Sequence, residues 1–127
     1  MNQVLVDTSV WIDHFKNHNA GLAKLLALDL ALTHPMVLLE LACGTPPSPR
    51  KQTLSDIGLL TQTRQASMSE VKQLIETEKL YGLGCGVVDM FLLASALITP
   101  GTELWTLDKR LSALTEQFGV QYQEVLH

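Results

Sequence analysis

Strands alternating with helices predict an α/β fold, a parallel sheet with helices on both faces. Gln3-Val4-Leu5-Val6 is a short aliphatic run without alternation, the pattern of a strand buried on both sides. Leu104-Trp105-Thr106-Leu107 closes a second run of the same kind, and helical spacing fills most of the chain between them. Each run ends in an acid, Asp7 or Asp108, at the carboxyl end of its strand, where open α/β sheets place their ligands.

After the strand Gln3–Val6, Asp7-Thr8-Ser9 supplies an N-cap cluster for a short helix through Val10-Trp11-Ile12 to about Phe15. Leu22, Leu25 and Leu26 give a second helix that stops near Asp29, and 30–33 is a weak strand. Pro35 suits the first turn of a helix running to Cys43, with Gly44 at the position just past its end. Thr45-Pro46-Pro47-Ser48-Pro49 is a stiff surface loop, and 50–60 resumes a helical pattern. Ser67 and Glu70 form a capping box that opens a helix with Val71, Leu74 and Ile75 on one face. Gly82, Gly84 and Gly86 make a turn before an apolar helix over 87–98. They follow no good strand, so a turn is favoured over a phosphate loop. Pro100-Gly101 turns the chain into the strand 103–107, the helix 109–118 follows, and 120–125 alternates as a final edge strand.

A length of 127 residues predicts a single domain, 1–127, able to bury roughly two-thirds of its unfolded surface. The net charge of −4 offers no general attraction to nucleic acid, so a nucleic-acid substrate needs local basic residues and metal. Cys43 and Cys85 are too few for a disulfide framework or a zinc site and are expected as small buried thiols. No secretory signal precedes Asp7 and Asp13, and the apolar stretch 87–98 is too short to cross a membrane, so a cytoplasmic protein is expected.

Four of the thirteen acids lie inside or directly after apolar runs: Asp7, Glu40, Asp89 and Asp108. An unpaired buried carboxylate costs several kcal/mol, on the order of that figure or more, so such groups are normally paired, hydrogen-bonded or bound to a cation. Lys109 is the only basic residue beside any of the four. Taken singly, Asp7 and Asp108 suit helix caps and Asp89 suits a first helical turn. Glu40, mid-helix among aliphatic neighbours, has no such explanation. Together the four point to a bound Mg²⁺ or Mn²⁺, because hard oxygen ligands leave such an ion open water positions for a phosphate. His14, His18, His34 and His127 show no metal-ligand spacing and are expected at the surface or behind the site.

Val-Asp-Thr-Ser-Val-Trp-Ile-Asp-His-Phe at 6–15 resembles the first motif of PIN-domain ribonucleases, specifically the VapC-type toxins of toxin–antitoxin modules. His34-Pro35 with Leu-Glu-Leu-Ala-Cys-Gly at 39–44 resembles the second. Gly-Cys-Gly-Val-Val-Asp at 84–89 with Leu-Leu-Ala-Ser-Ala at 92–96 resembles the third, and Leu-Trp-Thr-Leu-Asp-Lys-Arg-Leu at 104–111 the fourth. The resemblance covers the whole chain in order. It implies a PIN-like three-layer α/β/α fold with a central parallel sheet of about four to five strands. It also implies a metal-dependent endoribonuclease, with Asp7, Glu40, Asp89 and Asp108 as the catalytic metal-binding quartet. Thr8, Ser9 and Thr106 are implied as supporting polar groups. The implied partners are RNA, a cognate antitoxin protein and a second copy of the chain. Lys109 and Arg110 are the first choices for guiding RNA, with Arg50, Lys51 and Arg64 behind them. The proline-rich loop 45–49 departs from the charged connection commoner at that place.

Two other functions fit part of the pattern. A phosphatase or phosphotransferase forming an aspartyl phosphate on Asp7 would use Asp7, Thr106 and a nearby lysine. It lacks the second Asp two residues on that many such enzymes carry, and it leaves Glu40 without a role. A non-catalytic binding module would keep the acids for metal or for a partner's basic residue.

Overall fold

The computed structural model describes residues 2–124. β1 (Gln3–Val6) runs up the middle of a parallel sheet, between β2 (Ala31–Leu32) and β3 (Thr102–Trp105). Val4 is level with Ala31 and Glu103, and Leu5 with Leu32 and Leu104. Successive strand side chains point to opposite faces. Val4, Leu5 and Val6 are all buried, so both faces of β1 are covered.

The helices α1 (Thr8–Asn17), α2 (Ala20–Ala27), α3 (Pro35–Cys43), α4 (Arg50–Gly58), α5 (Met68–Glu78), α6 (Val87–Ile98) and α7 (Lys109–Gln117) surround the sheet. Leu22, Val37, Leu92, Leu93 and Leu111 carry one hydrophobic cluster from the strands into α2, α3, α6 and α7. Cap chemistry sets most of the starts. Asp7 caps α1, Asn19 caps α2, Pro35 opens α3 behind His34, and Ser67 with Glu70 forms the capping box of α5.

Among the described residues three segments form ladders. Two more join by single parallel bridges, Gln62 to Thr33 and Gln121 to Leu104, so five chain segments lie side by side. The final strand expected over 120–125 is this outer segment. Leu104 N donates to Val120 O at 2.7 Å and Tyr122 N to Leu104 O at 3.2 Å, and the pairing goes no further among the described residues. Val125 lies outside them, as does His127.

Other boundaries shift for local reasons. β3 ends at Trp105, two residues before the expected end, because the Leu107 N–H turns away to Ser9 Oγ at 3.0 Å. Gly44 closes α3 at φ −98°, so the left-handed freedom of glycine is not used there. Gly82 and Gly84 do need it, at φ 73° and 85°, and make the expected turn before α6. Cys43 is exposed and Cys85 half-buried, contrary to the buried thiols expected. Among the described residues no helix is long and apolar enough to cross a membrane.

Candidate active site

Asp7 is the first residue past β1 and is 5% exposed. Its Oδ2 accepts from Ser9 Oγ at 2.6 Å, from Thr106 Oγ1 at 2.8 Å and from Ser9 N at 3.4 Å. Ser9 Oγ in turn accepts from Leu107 N, and Thr106 Oγ1 accepts from Asp108 N at 3.0 Å. Each hydroxyl has one proton and directs it at Asp7, so the 3.3 Å approach of Ser9 Oγ to Thr106 Oγ1 is a contact of two acceptors. The start of α1 and the loop before α7 are thereby tied together through a single carboxylate oxygen. Two of the motifs recognised in the sequence meet at this point.

Thr8 brings in the third acid. Its hydroxyl, at the first position of α1, donates to Glu40 Oε1 on α3 at 2.7 Å. Asp89 sits in the first turn of α6, where its Oδ2 accepts from Gly86 N at 3.0 Å. Asp108 is the N-cap of α7, with Oδ1 accepting from Arg110 N and Leu111 N at 2.9 and 3.1 Å. In every case one oxygen is fixed by the fold. Among the described residues no hydrogen bond reaches Asp7 Oδ1, Glu40 Oε2, Asp89 Oδ1 or Asp108 Oδ2.

Burial raises the Asp89 carboxyl above the usual carboxylate range, the Gly86 N–H opposes that rise, and the charges of Asp7 and Asp108 add to it. The Cys85 thiol is likewise pushed up, first by burial and then by Asp89 and Asp108, against the pull of Arg110. Asp7, Asp89 and Asp108 therefore share one electrostatic neighbourhood, with Glu40 joined to it through Thr8.

The apolar flanks do not bury all four acids, as their setting in the sequence suggested. Glu40 and Asp108 are exposed and Asp89 is half-buried. Helical periodicity explains Glu40: Val37 and Leu41 face the core, while Leu39 and Glu40 turn outward. Among the described residues no three His, Cys, Asp or Glu side chains converge tightly enough to hold an ion unaided. This donor set suits a Mg²⁺-like ion, which takes one or two carboxylates and keeps several waters. Such an ion needs no closed protein cage.

The three arginines named for RNA also bond within the fold. Arg50 donates to Ala42 O at the end of α3, and Arg64 to Ile98 O at the end of α6, each answering free carbonyls and the negative end of a helix dipole. Arg110 donates to Gly84 O at 3.3 Å and packs on Gly84, which holds the glycine turn beside the acids. Lys109 and Lys51 stay exposed.

One polar junction went unread in the sequence. His34, expected at the surface or behind the site, is 2% exposed and bonded to fully buried Ser95. The signal was Ser95 itself, a lone hydroxyl inside the apolar run 87–98.

A family model described as PIN domain matches residues 4–117. Two proteins, each named Ribonuclease VapC32, from Mycobacterium tuberculosis strains CDC 1551 / Oshkosh and ATCC 25618 / H37Rv, are 41% identical to this chain over 121 residues. The match spans 95% of this chain and 97% of each relative. On this similarity and these motifs, the chain belongs to the PIN-domain family, as a VapC-type member.

Proposed function

We propose that residues 1–127 act as one PIN domain, a Mg²⁺- or Mn²⁺-dependent endoribonuclease toxin working on cytoplasmic RNA. The observation that carries this is the shared arrangement of Asp7, Glu40, Asp89 and Asp108, each with one carboxylate oxygen bound by the fold and the other free. Bound metal supplies a Lewis acid for the phosphodiester and lowers the pKa of water. The chain's own groups do the positioning. Ser9 and Thr106 hold Asp7, Thr8 holds Glu40, and the backbone of α6 and α7 holds Asp89 and Asp108, so each acid is oriented by the fold. Asp89 retains a proton more readily than a solvated aspartate and gives it up when positive charge enters.

Water adds to phosphorus in line with the departing 3′ oxygen, the P–O3′ bond breaks, and the proton passes to the leaving side. The products are a 5′-phosphate and a 3′-hydroxyl, and the ribose 2′-hydroxyl is not the nucleophile. The test is cleavage of RNA and of its 2′-deoxy analogue, with Mg²⁺ and with EDTA, followed by end analysis. A 2′,3′-cyclic phosphate or full activity in EDTA would overturn the mechanism. Release of inorganic phosphate from a monoester would point to a phosphatase, and metal-independent RNA binding without cleavage to a binding module.

A cognate antitoxin is the proposed protein partner, as membership among the VapC-type ribonucleases implies. A hollow of about 270 Å³ beside Glu40, walled by Ile12, Phe15, Leu41 and Pro46 with Lys16 at its side, offers that partner an apolar seat next to the acids. A homodimer is also proposed. The apolar α5 face is not free for it, because Val71 is buried and Leu74 and Ile75 pack on the core. Exposed Leu59 and Met68 are better placed to meet a second copy.

A further inference from the structure

The His34–Ser95 junction lies behind the acids and joins two of the helices that carry them. His34 is the N-cap of α3, and its Nδ1 accepts from Met36 N at 3.0 Å. A ring nitrogen that accepts a backbone N–H carries no proton, so in the neutral ring Nε2 is the donor. That Nε2 meets Ser95 Oγ at 3.0 Å, and Ser95 Oγ accepts a second bond from Ala66 N at 3.0 Å. The junction thus connects the start of α3, the last turn of α6 and the segment leading into α5. Glu40 lies further along α3, and Asp89 lies earlier on α6.

The residue type matters. Ser, Thr, Asn and Asp are the usual caps and would satisfy Met36 N equally well. None is long enough to cap α3 and also reach across to α6. Histidine has two ring nitrogens on opposite edges, and here both are bonded to different elements. Burial holds its pKa down, and none of Glu40, Cys43, Arg64 or Asp89, the ionisable groups of the elements around it, contributes. Charging the ring would put a proton on Nδ1 against the Met36 N–H and break the cap.

We propose that His34, as its Nε2-protonated neutral tautomer, is a positioning residue that sets the separation of Glu40 and Asp89 by fastening α3 to α6 through Ser95. The inference rests on those two acids serving one metal centre. A buried pair that merely added stability would make metal affinity follow stability in every variant. The positioning role predicts that the two separate.

Two substitutions divide the histidine's functions. His34→Asn keeps an oxygen near Nδ1 to cap α3 but cannot reach Ser95. His34→Gln places an amide N–H near Nε2 to reach Ser95 but caps poorly. The measurements are urea unfolding, Mg²⁺ affinity by calorimetry, and kcat and KM on RNA across pH. The expected result is a reversed order. His34→Asn is the more stable of the two, yet it loses about tenfold or more in Mg²⁺ affinity and in kcat at unchanged KM, while His34→Gln keeps most of both. Ser95→Ala matches His34→Asn in affinity, and the double variant loses no more than the worse single one. The parent loses Mg²⁺ affinity as the imidazole charges on acidification, a limb absent from His34→Asn. Affinity that follows stability in the Asn and Gln variants, or losses that multiply in the double variant, would overturn the proposal. A parent that neither binds Mg²⁺ nor cuts RNA would overturn the nuclease function itself, and the positioning role with it.

Discussion

Replacing Thr106 by Val keeps the side chain's volume and removes the hydroxyl that links Asp7 to the backbone of Asp108. Thr106 Oγ1 donates to Asp7 Oδ2 at 2.8 Å and accepts from Asp108 N at 3.0 Å, in a buried position. A hydrogen bond to a charged group contributes roughly 1.5–3 kcal/mol, and water can replace the acceptor that Asp108 N loses. Asp108 is exposed, so that replacement is open. Asp7 also retains its bonds from Ser9, which favours the lower half of the range. The expected destabilisation is about 2 kcal/mol, equivalent to a fall of roughly 6–10 °C in Tm for a domain of this size. Activity should fall further than stability, by about ten- to a hundredfold in kcat, because Asp7 and Asp108 lose their common tether. Thr106→Ser is the control. It keeps the hydroxyl and loses a methyl, about 0.8 kcal/mol of burial, and should keep most of the activity. Thermal melts and single-turnover cleavage of all three proteins decide the matter. A Val variant that melts and cuts like the parent, or a Ser variant as damaged as the Val variant, would refute the role given to this hydroxyl.

Asp7→Asn, Glu40→Gln and Asp89→Asn should each abolish cleavage with the fold intact by circular dichroism. Asp108→Asn should retain part of it, since Asp108 is exposed and Asn also caps a helix. Asp89→Asn should stabilise the metal-free protein at neutral pH. The Asp89 pKa is raised on folding, so its contribution to stability is lost as pH climbs from the unfolded value through the folded one, and Asn removes that loss. A melt at pH 7 in EDTA checks the sign, and a Tm below the parent's would contradict it. Lys109→Ala should flatten the salt dependence of RNA binding by about 0.7 in log–log slope if Lys109 meets one phosphate. Arg110→Ala should mainly loosen the turn at Gly84, seen as faster amide exchange there, because its guanidinium is bonded to Gly84 O.

Local signals made much of this molecule readable in its sequence. Asp7, Ser67, Pro35 and Gly86 mark helix starts by chemistry that acts within one turn, and all four helices begin where that chemistry puts them. The acids stood out because each interrupts or closes an apolar run. What the sequence hid depends on contacts across the fold. In the Ser9–Asp7–Thr106 clamp, Ser9 and Asp7 bond partners 98 and 99 positions away, and His34 meets Ser95 across 61. That Arg50 and Arg64 also bond helix C-terminal carbonyls could not be seen in the sequence, because those carbonyls lie on elements brought near only by folding. Among the described residues the segment from 120 pairs less than its alternation suggested, because alternation does not reveal how much neighbouring backbone is left to pair with.

The central claim is that Asp7, Glu40, Asp89 and Asp108 form one divalent-metal site. Mn²⁺ titrated into the ¹⁵N-labelled protein broadens amide signals close to wherever it binds. The expected pattern is loss of signal around residues 7–9, 40, 86–89 and 106–108, and sharp recovery of those signals in Asp7→Asn at the same Mn²⁺ concentration. Broadening centred elsewhere, or a pattern in Asp7→Asn identical to the parent's, would contradict the account.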